Sequence, residues 1–177
     1  CEAGAGGHEI PELIYTEILD EEGLSVTPGE LGEITVTPFG QEAMPLLRYR
    51  TGDLARLHVE KCICGRSTRR LGPIEGRKHQ MIKWKGTTVY PQQIENALNT
   101  KYVNYLIKVS TDDLGLDKLT IVFSDQLSLG ELEEIALLLA QKIRVKPIME
   151  QASIDHIRKE LFPSGSRKPK RFIDSRI

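Results

Sequence analysis

Residues 103–123 read VNYLIKVSTDDLGLDKLTIVF. Val103, Tyr105, Ile107 and Val109 alternate with their neighbours, the period of a half-buried strand. Asp112-Asp113-Leu114-Gly115 is a turn signal, and Leu119, Ile121 and Phe123 alternate again beyond it. Two consecutive strands are predicted. Upstream, Met81 to Trp84 and Thr87 to Tyr90 flank Lys85-Gly86, a hairpin turn. Pro91 presets the backbone angle of a helix start, and Ile94, Ala97 and Leu98 share one face behind it. Downstream, Ser128 and Glu131 pair as a capping box. The helix they open carries its apolar stripe on Leu132, Ile135, Ala136, Leu139 and Ile143. Residues Ala152 to Ile157 are predicted as one more strand.

From Thr87 onward the predicted order is β-α-β-β-α-β, a ferredoxin-like split arrangement with two helices on one face of a four-stranded sheet. The front of the chain reads differently. Leu31 to Thr37 follows the turn signal Thr27-Pro28-Gly29 and is β-prone. Pro45 to Arg50 and Leu54 to Val59 also read as short strands, and no helical period precedes Pro91. The predicted fold class is α+β: a small all-β, barrel-like subdomain over residues 1–76, then an α+β domain over residues 77–177. Gly76-Arg77-Lys78-His79 is a short polar crossing between differently built units, where a hinge belongs.

Composition bounds the function. The chain has 177 residues, 40% hydrophobic and 28% charged, with a formal net charge of -1. That is an ordinary globular composition with no global attraction for nucleic acid or a membrane surface. No apolar run approaches the roughly 20 residues that span a bilayer. No leader is visible ahead of Cys1, so a cytoplasmic location is expected, and the start at Cys1-Glu2-Ala3 suggests that a preceding segment has been cut away. The three cysteines are an odd number, which fits a reducing compartment with free or metal-bound thiols.

Cys62-Ile63-Cys64-Gly65 supplies two thiols, and Cys1 with His8 supplies a third thiol and an imidazole. Together they are the inventory of a tetrahedral Cys₃His zinc site. Four protein ligands leave no open position, so its role would be structural. Comparable sites in bare zinc-finger peptides are worth roughly 10–16 kcal/mol. The competing reading is free thiols and an exposed loop histidine.

Tyr49-Arg50-Thr51-Gly52-Asp53 resembles the Tyr-Arg-Thr-Gly-Asp signature of the adenylate-forming enzymes. Further landmarks follow the family's order. Gly29-Glu30-Leu31-Gly32-Glu33 resembles its Gly-Glu-Leu-Gly strand entry. Gly76-Arg77 with Ile82-Lys83-Trp84-Lys85-Gly86 resembles its hinge and hairpin, and Tyr90-Pro91-Gln92-Gln93-Ile94-Glu95 its next helix start. Ser166-Arg167-Lys168-Pro169-Lys170-Arg171-Phe172-Ile173-Asp174 is similar to the terminal lysine motif of the phenylacetate–CoA ligase group. Cys1-Glu2-Ala3 and Cys62 to Arg66 are similar to that group too.

The resemblance implies a two-step acid–thiol ligase acting on a carboxylic acid, ATP with magnesium, and coenzyme A. An acyl-adenylate forms, a small carboxy-terminal domain rotates, and the coenzyme A thiol takes the acyl group. Asp53 would accept from both ribose hydroxyls. Arg77 would meet the ribose or phosphate side. Lys78 and His79 would form the hinge, although the family usually has Asp at the position of His79. Lys168 would be the mobile catalytic lysine. The family's preceding glycine is Arg167 here, which leaves Lys170 as an alternative. Lys85 and Gly86 would line the pantetheine channel.

Nothing in the chain resembles the family's phosphate loop or its magnesium-binding acid, so a fragment of a ligase more than twice as long, inactive alone, is expected. Two other readings stand beside it. One is a zinc-stabilised binding module without chemistry. The other is an adenylyltransferase with a different small-molecule acceptor. The acyl substrate is open, and a homodimer is allowed.

Overall fold

The computed structural model describes residues 1, 6–98, 102, 104–164 and 166–176. Val103, the expected start of a strand, and Glu2-Ala3 lie outside the described residues. The chain divides into two compact units, Cys1–His79 and Gln80–Ile177, with the division three residues beyond the boundary read from sequence.

The first unit carries one six-stranded sheet. Its strands are β1 (Gly7–His8), β2 (Ile14–Leu19), β3 (Leu31–Pro38), β4 (Tyr49–His58), β5 (Arg70–Leu71) and β6 (Gly76–Arg77). They lie in the order β1-β5-β4-β3-β2, with β6 pairing β4 beside that path. Among the described residues no pairing joins β1 to β2, so the sheet is open rather than closed into a barrel. Ile18, Ile34, Ala55 and Leu57 form its small core with Val26, Val36 and Leu71 packed on them.

Two expected short strands, Pro45 to Arg50 and Leu54 to Val59, prove to be one ten-residue strand that starts at Tyr49. Residues 45–48 are irregular, and Arg48 has φ 48°. The strand survives Gly52 because the ladder bulges there. Glu33 faces Leu54 and Thr35 faces Arg50, so Thr51 to Asp53 stand opposite Ile34 alone, an excess of two residues on β4. Gly52 takes φ 78°, which suits glycine.

The second unit contains β7 (Ile82–Trp84), β8 (Thr87–Val89), α1 (Pro91–Leu98), β9 (Tyr105–Thr111), β10 (Asp117–Ser124), α2 (Leu129–Ile143), β11 (Ile148–Ala152), α3 (Ile154–Leu161) and β12 (Phe172–Asp174). Helix α1 begins at Pro91, and the α2 capping box is present in both directions: the Glu131 N–H donates to Ser128 Oγ and the Ser128 N–H to Glu131 Oε2.

The order β-α-β-β-α-β does run from Thr87 to Ala152, but the pairing differs from the ferredoxin-like expectation. The four-stranded sheet is β11-β10-β9-β12, and β8 pairs with β7 in a separate two-stranded sheet. Strand β12 takes the fourth place, parallel to β9. Residues 152–157 are a correction of a second kind. The strand ends at Ala152, and α3 starts at Ile154, with Ser153 Oγ accepting the His156 N–H. Ile157 and Leu161 pack α3 onto Leu106 and Val122. Strands β9 and β10 are therefore covered on both faces, not half-buried. On the other face Tyr105, Ile107, Leu119, Ile121 and Phe123 meet Ile94, Leu98, Ile135 and Leu139 of the two longer-range helices α1 and α2.

Candidate functional site

The bulge in β4 organises the first unit's polar centre. Thr51 Oγ1 donates to the Ile34 carbonyl at 2.9 Å, and the Asp53 N–H donates to Thr51 Oγ1 at 3.1 Å. The backbone thus holds Asp53 at the sheet position opposite Arg77, its cross-strand partner on β6. Arg77 Nε donates to Asp53 Oδ1 at 3.0 Å. Both side chains keep contact with solvent, Arg77 the more so. The two residues singled out for a nucleotide are brought together, leaving the second carboxylate oxygen of Asp53 for another donor.

Glu33 lies beneath this pair and was read from sequence only as part of a strand entry. Its side chain is 8% exposed and accepts from Arg50 Nη2 at 2.6 Å, with Lys78 Nζ at 3.5 Å. The Gly52 N–H donates to its other oxygen at 3.2 Å. Burial by itself would raise the Glu33 carboxyl. The Arg50 hydrogen bond and charge, then Lys78 and the Gly52 N–H, outweigh that and hold it below the ordinary carboxylate value. Glu33 therefore ties the signature strand to Lys78, the first residue of the 3₁₀ turn Lys78–Gln80. His79 follows in the same turn, and the division between the units falls directly after it.

Lys85 and Gly86 form the tip of the β7–β8 hairpin with φ 47° and 82°. Both positive values are those of the tight hairpin turn. A Cβ on Gly86 would meet nothing within 4 Å, so backbone conformation alone accounts for the glycine. Lys85 Nζ lies 5.1 Å from the centre of the Trp84 ring. The base of the hairpin is pinned by a residue the sequence did not flag. Arg176 Nη1 donates to the Met81 carbonyl at 2.7 Å and to Asp117 Oδ2 at 3.1 Å, while the Lys83 N–H donates to the same Asp117 oxygen.

Lys168 stands exposed between α3 and β12, its carbonyl accepting from Ser166 Oγ at 2.6 Å. Arg167 is not among the positive-φ residues, so the backbone here makes no demand for glycine. Lys170 is tied by its N–H to the Leu161 carbonyl at 2.7 Å and lines a shallow depression with Lys159, Phe162 and Ile173. Next to it, the Arg171 guanidinium lies 5.4 Å from the Tyr105 ring centre. Burial pushes the Tyr105 phenol up to about 12, with Glu95 adding to the rise.

The four predicted metal ligands converge. The ligand atoms of Cys1, His8, Cys62 and Cys64 all lie within 4.8 Å of one another. Cys1 Sγ and Cys62 Sγ are 3.5 Å apart, and Cys64 Sγ is 3.3 Å from His8 Nε2. The Cys62 thiol is drawn down to about 6, first by the Cys64 backbone N–H, against desolvation.

The fold is that of the adenylate-forming ligases. It superposes on 2-hydroxyisobutyryl-CoA ligase, solved in the postadenylation state with R3-HIB-AMP, at a TM-score of 0.75 and 23% identity, covering 98% of this chain and 38% of that one. Curated homologues named phenylacetate–coenzyme A ligase narrow the likeness and cover about half of this chain. The Thermus thermophilus protein is 43% identical over 94 residues, 52% of this chain and 21% of its own length. That of Aromatoleum evansii is 39% identical over 111 residues, 60% of this chain and 24% of its own. The chain thus spans about a fifth to a quarter of the length of these relatives. No protein-family model matches it.

Proposed function

We propose that this chain is the carboxy-terminal part of an AMP-forming acyl-CoA ligase of the phenylacetate–CoA ligase kind. The observation that carries the reading is the Asp53–Arg77 pair at 3.0 Å, set by the Gly52 bulge inside the signature strand. The homologues named phenylacetate–coenzyme A ligase support it independently.

In this reading a carboxylate oxygen of the acid attacks the α-phosphorus of ATP, and pyrophosphate leaves. Asp53 holds the ribose diol with its two acceptor oxygens. Arg77, half released to solvent, turns its remaining donors to the ribose or phosphate side. Lys168 brings positive charge to the oxygens that gain negative charge in the transition state. Residues 80–177 then swing about Lys78 and His79. Glu33 anchors that hinge, because it grips Lys78 and the signature strand at once. The β7–β8 tip, Lys85-Gly86, comes to line the path of the pantetheine arm. The coenzyme A sulfur attacks the acyl carbonyl, and AMP leaves. No stretch of the sequence resembles a Ser/Thr/Gly-rich phosphate loop; in this reading the phosphates and magnesium would be held by a portion of the ligase outside this chain, and the isolated chain would not form an adenylate. Among the described residues no helix is long and apolar enough to cross a membrane.

The test is kinetic, in a ligase that contains this chain. Asp53→Ala raises KM for ATP; Lys168→Ala lowers pyrophosphate exchange at saturating ATP; Gly86→Val slows thioester formation while leaving exchange intact. An Asp53→Ala enzyme with unchanged ATP dependence defeats the reading, and robust pyrophosphate exchange by the 177-residue chain alone defeats its dependence on an outside portion.

A further inference from the structure

We propose that Cys1, His8, Cys62 and Cys64 bind one Zn²⁺ in a closed tetrahedral site that fastens β1 to the edge of the first unit's sheet. The ligands come from two segments far apart in sequence, yet their donor atoms all lie within 4.8 Å of one another. Zn²⁺ at about 2.3 Å from sulfur and about 2.0 Å from nitrogen makes a tetrahedron with S···S edges of about 3.8 Å and S···N edges of about 3.5 Å. The Cys1–Cys62 separation is 3.5 Å and the Cys64–His8 separation 3.3 Å. These two pairs need open by only a few tenths of an ångström to admit the ion, and no pair of donor atoms is more than 4.8 Å apart.

His8 is already oriented for it. Its Nδ1 lies 3.0 Å from the Thr68 carbonyl and 3.2 Å from the Thr68 hydroxyl. A carbonyl can only accept, so Nδ1 carries the proton and Nε2 turns its lone pair toward Cys64. Metal-bound histidines are held in this way by a backbone carbonyl on the far nitrogen. The Cys62–Cys64 loop is shaped for the same end. The Gly65 N–H closes it on the Cys62 carbonyl at 3.0 Å, and Gly65 takes φ 87°. Ile63, between the two ligands, is 92% exposed.

The donor set selects the ion. Three thiolates and an imidazole suit zinc, whereas calcium and magnesium demand oxygen ligands. With every tetrahedral position filled by protein, no place remains for a substrate, so the ion acts on structure alone. The need is visible in the strands. Paired strands β1 and β5 are only two residues each, too few hydrogen bonds to hold an edge by themselves. The Glu9–Arg69 ion pair at 2.7 Å is a second tie on the same segment. The site does not depend on the ligase reading, because its consequences are metal content and strand stability.

The chain, purified under reducing, oxygen-free conditions, is assayed for metal and for titratable thiols. One zinc per chain is expected. His8→Ala lowers the zinc content, whereas His8→Cys, which offers a thiolate in its place, retains it. Replacement by Co²⁺ gives the visible bands of a tetrahedral thiolate site. Chelation quickens amide exchange at β1 and β5 while leaving the α2 amides unchanged. A folded chain with three free thiols that neither holds zinc nor takes it up from added Zn²⁺ overturns the proposal. So does a Cys1–Cys62 disulfide in the reduced preparation, or full zinc content in His8→Ala. If His8→Ala does not fold, the unaltered chain and His8→Cys decide by themselves.

Discussion

Glu33→Gln separates charge from shape at the polar centre of the first unit. The glutamine is nearly isosteric and can still accept from Gly52 or Arg50. What disappears is the anion that Arg50 Nη2 meets at 2.6 Å and Lys78 Nζ at 3.5 Å. Hydrogen bonds to charged groups contribute about 1.5–3 kcal/mol and neutral ones about 0.5–1.5. Arg50 is 37% exposed and Lys78 43%, so water recovers part of their loss. The expected cost is about 1–2 kcal/mol at neutral pH, or a roughly five- to thirty-fold larger population of the opened state. Trp84, the single tryptophan, lies in the second unit and is the wrong probe. Amide exchange along the β3–β4 ladder is the right one, since it reads the local opening free energy. The pH dependence supplies the discriminating result. Because the folded Glu33 carboxyl sits below its ordinary value of 4.5, its contribution is complete above that value and is lost as pH falls through the folded value. The difference between the parent and Glu33→Gln should therefore be full at neutral pH and shrink only in the acid range below 4.5. A penalty that is the same at neutral pH and in acid, or no penalty at all, would show that the Glu33 anion does not hold this centre together.

Other changes probe separate links. Gly86→Ala forces a Cβ into φ 82° with open space around it, so it should cost about 1–2 kcal/mol of backbone strain alone, read as a lower midpoint for Trp84 fluorescence on heating. Ser128→Ala removes the acceptor for the Glu131 N–H and should cost about 1 kcal/mol in the same assay. Leu139→Ala empties a fully buried position between α2 and the sheet and should cost about 2–5 kcal/mol. A double-mutant cycle of Asp53→Ala with Arg77→Ala should give a coupling below about 1 kcal/mol, because Arg77 is 58% exposed; a larger value means the pair is structural rather than available to a ligand.

Local signals account for much of what the sequence disclosed. The Ser128 capping box, the Pro91 helix start, the Lys85-Gly86 hairpin and the alternation in β9 and β10 each act within a few residues, and each is present in the structure. The misread segment was also local. Ser153 followed by Ile154, Ile157 and Leu161 is a helix cap and stripe, and it prevails over the brief alternation taken as a strand. The signature residues stood out by type and order, and Asp53 and Arg77 were legible as candidates before their pairing was known.

What no local pattern contains is which distant partner each group finds. That β12 rather than β8 lies beside β9, that α3 covers the second face of the sheet, that Glu33 grips both Arg50 and Lys78, and that Arg176 reaches back to Met81 and Asp117 are all matters of register between remote segments. The cysteine–histidine cluster shows the division most clearly. Three thiols and an imidazole were countable in the chain, but only the β1–β5 pairing, residue 8 against residue 70, brings Cys1 and His8 to the Cys62–Cys64 turn. Side-chain chemistry is written residue by residue, whereas proximity across sixty residues exists only after the sheet has closed the loop between them.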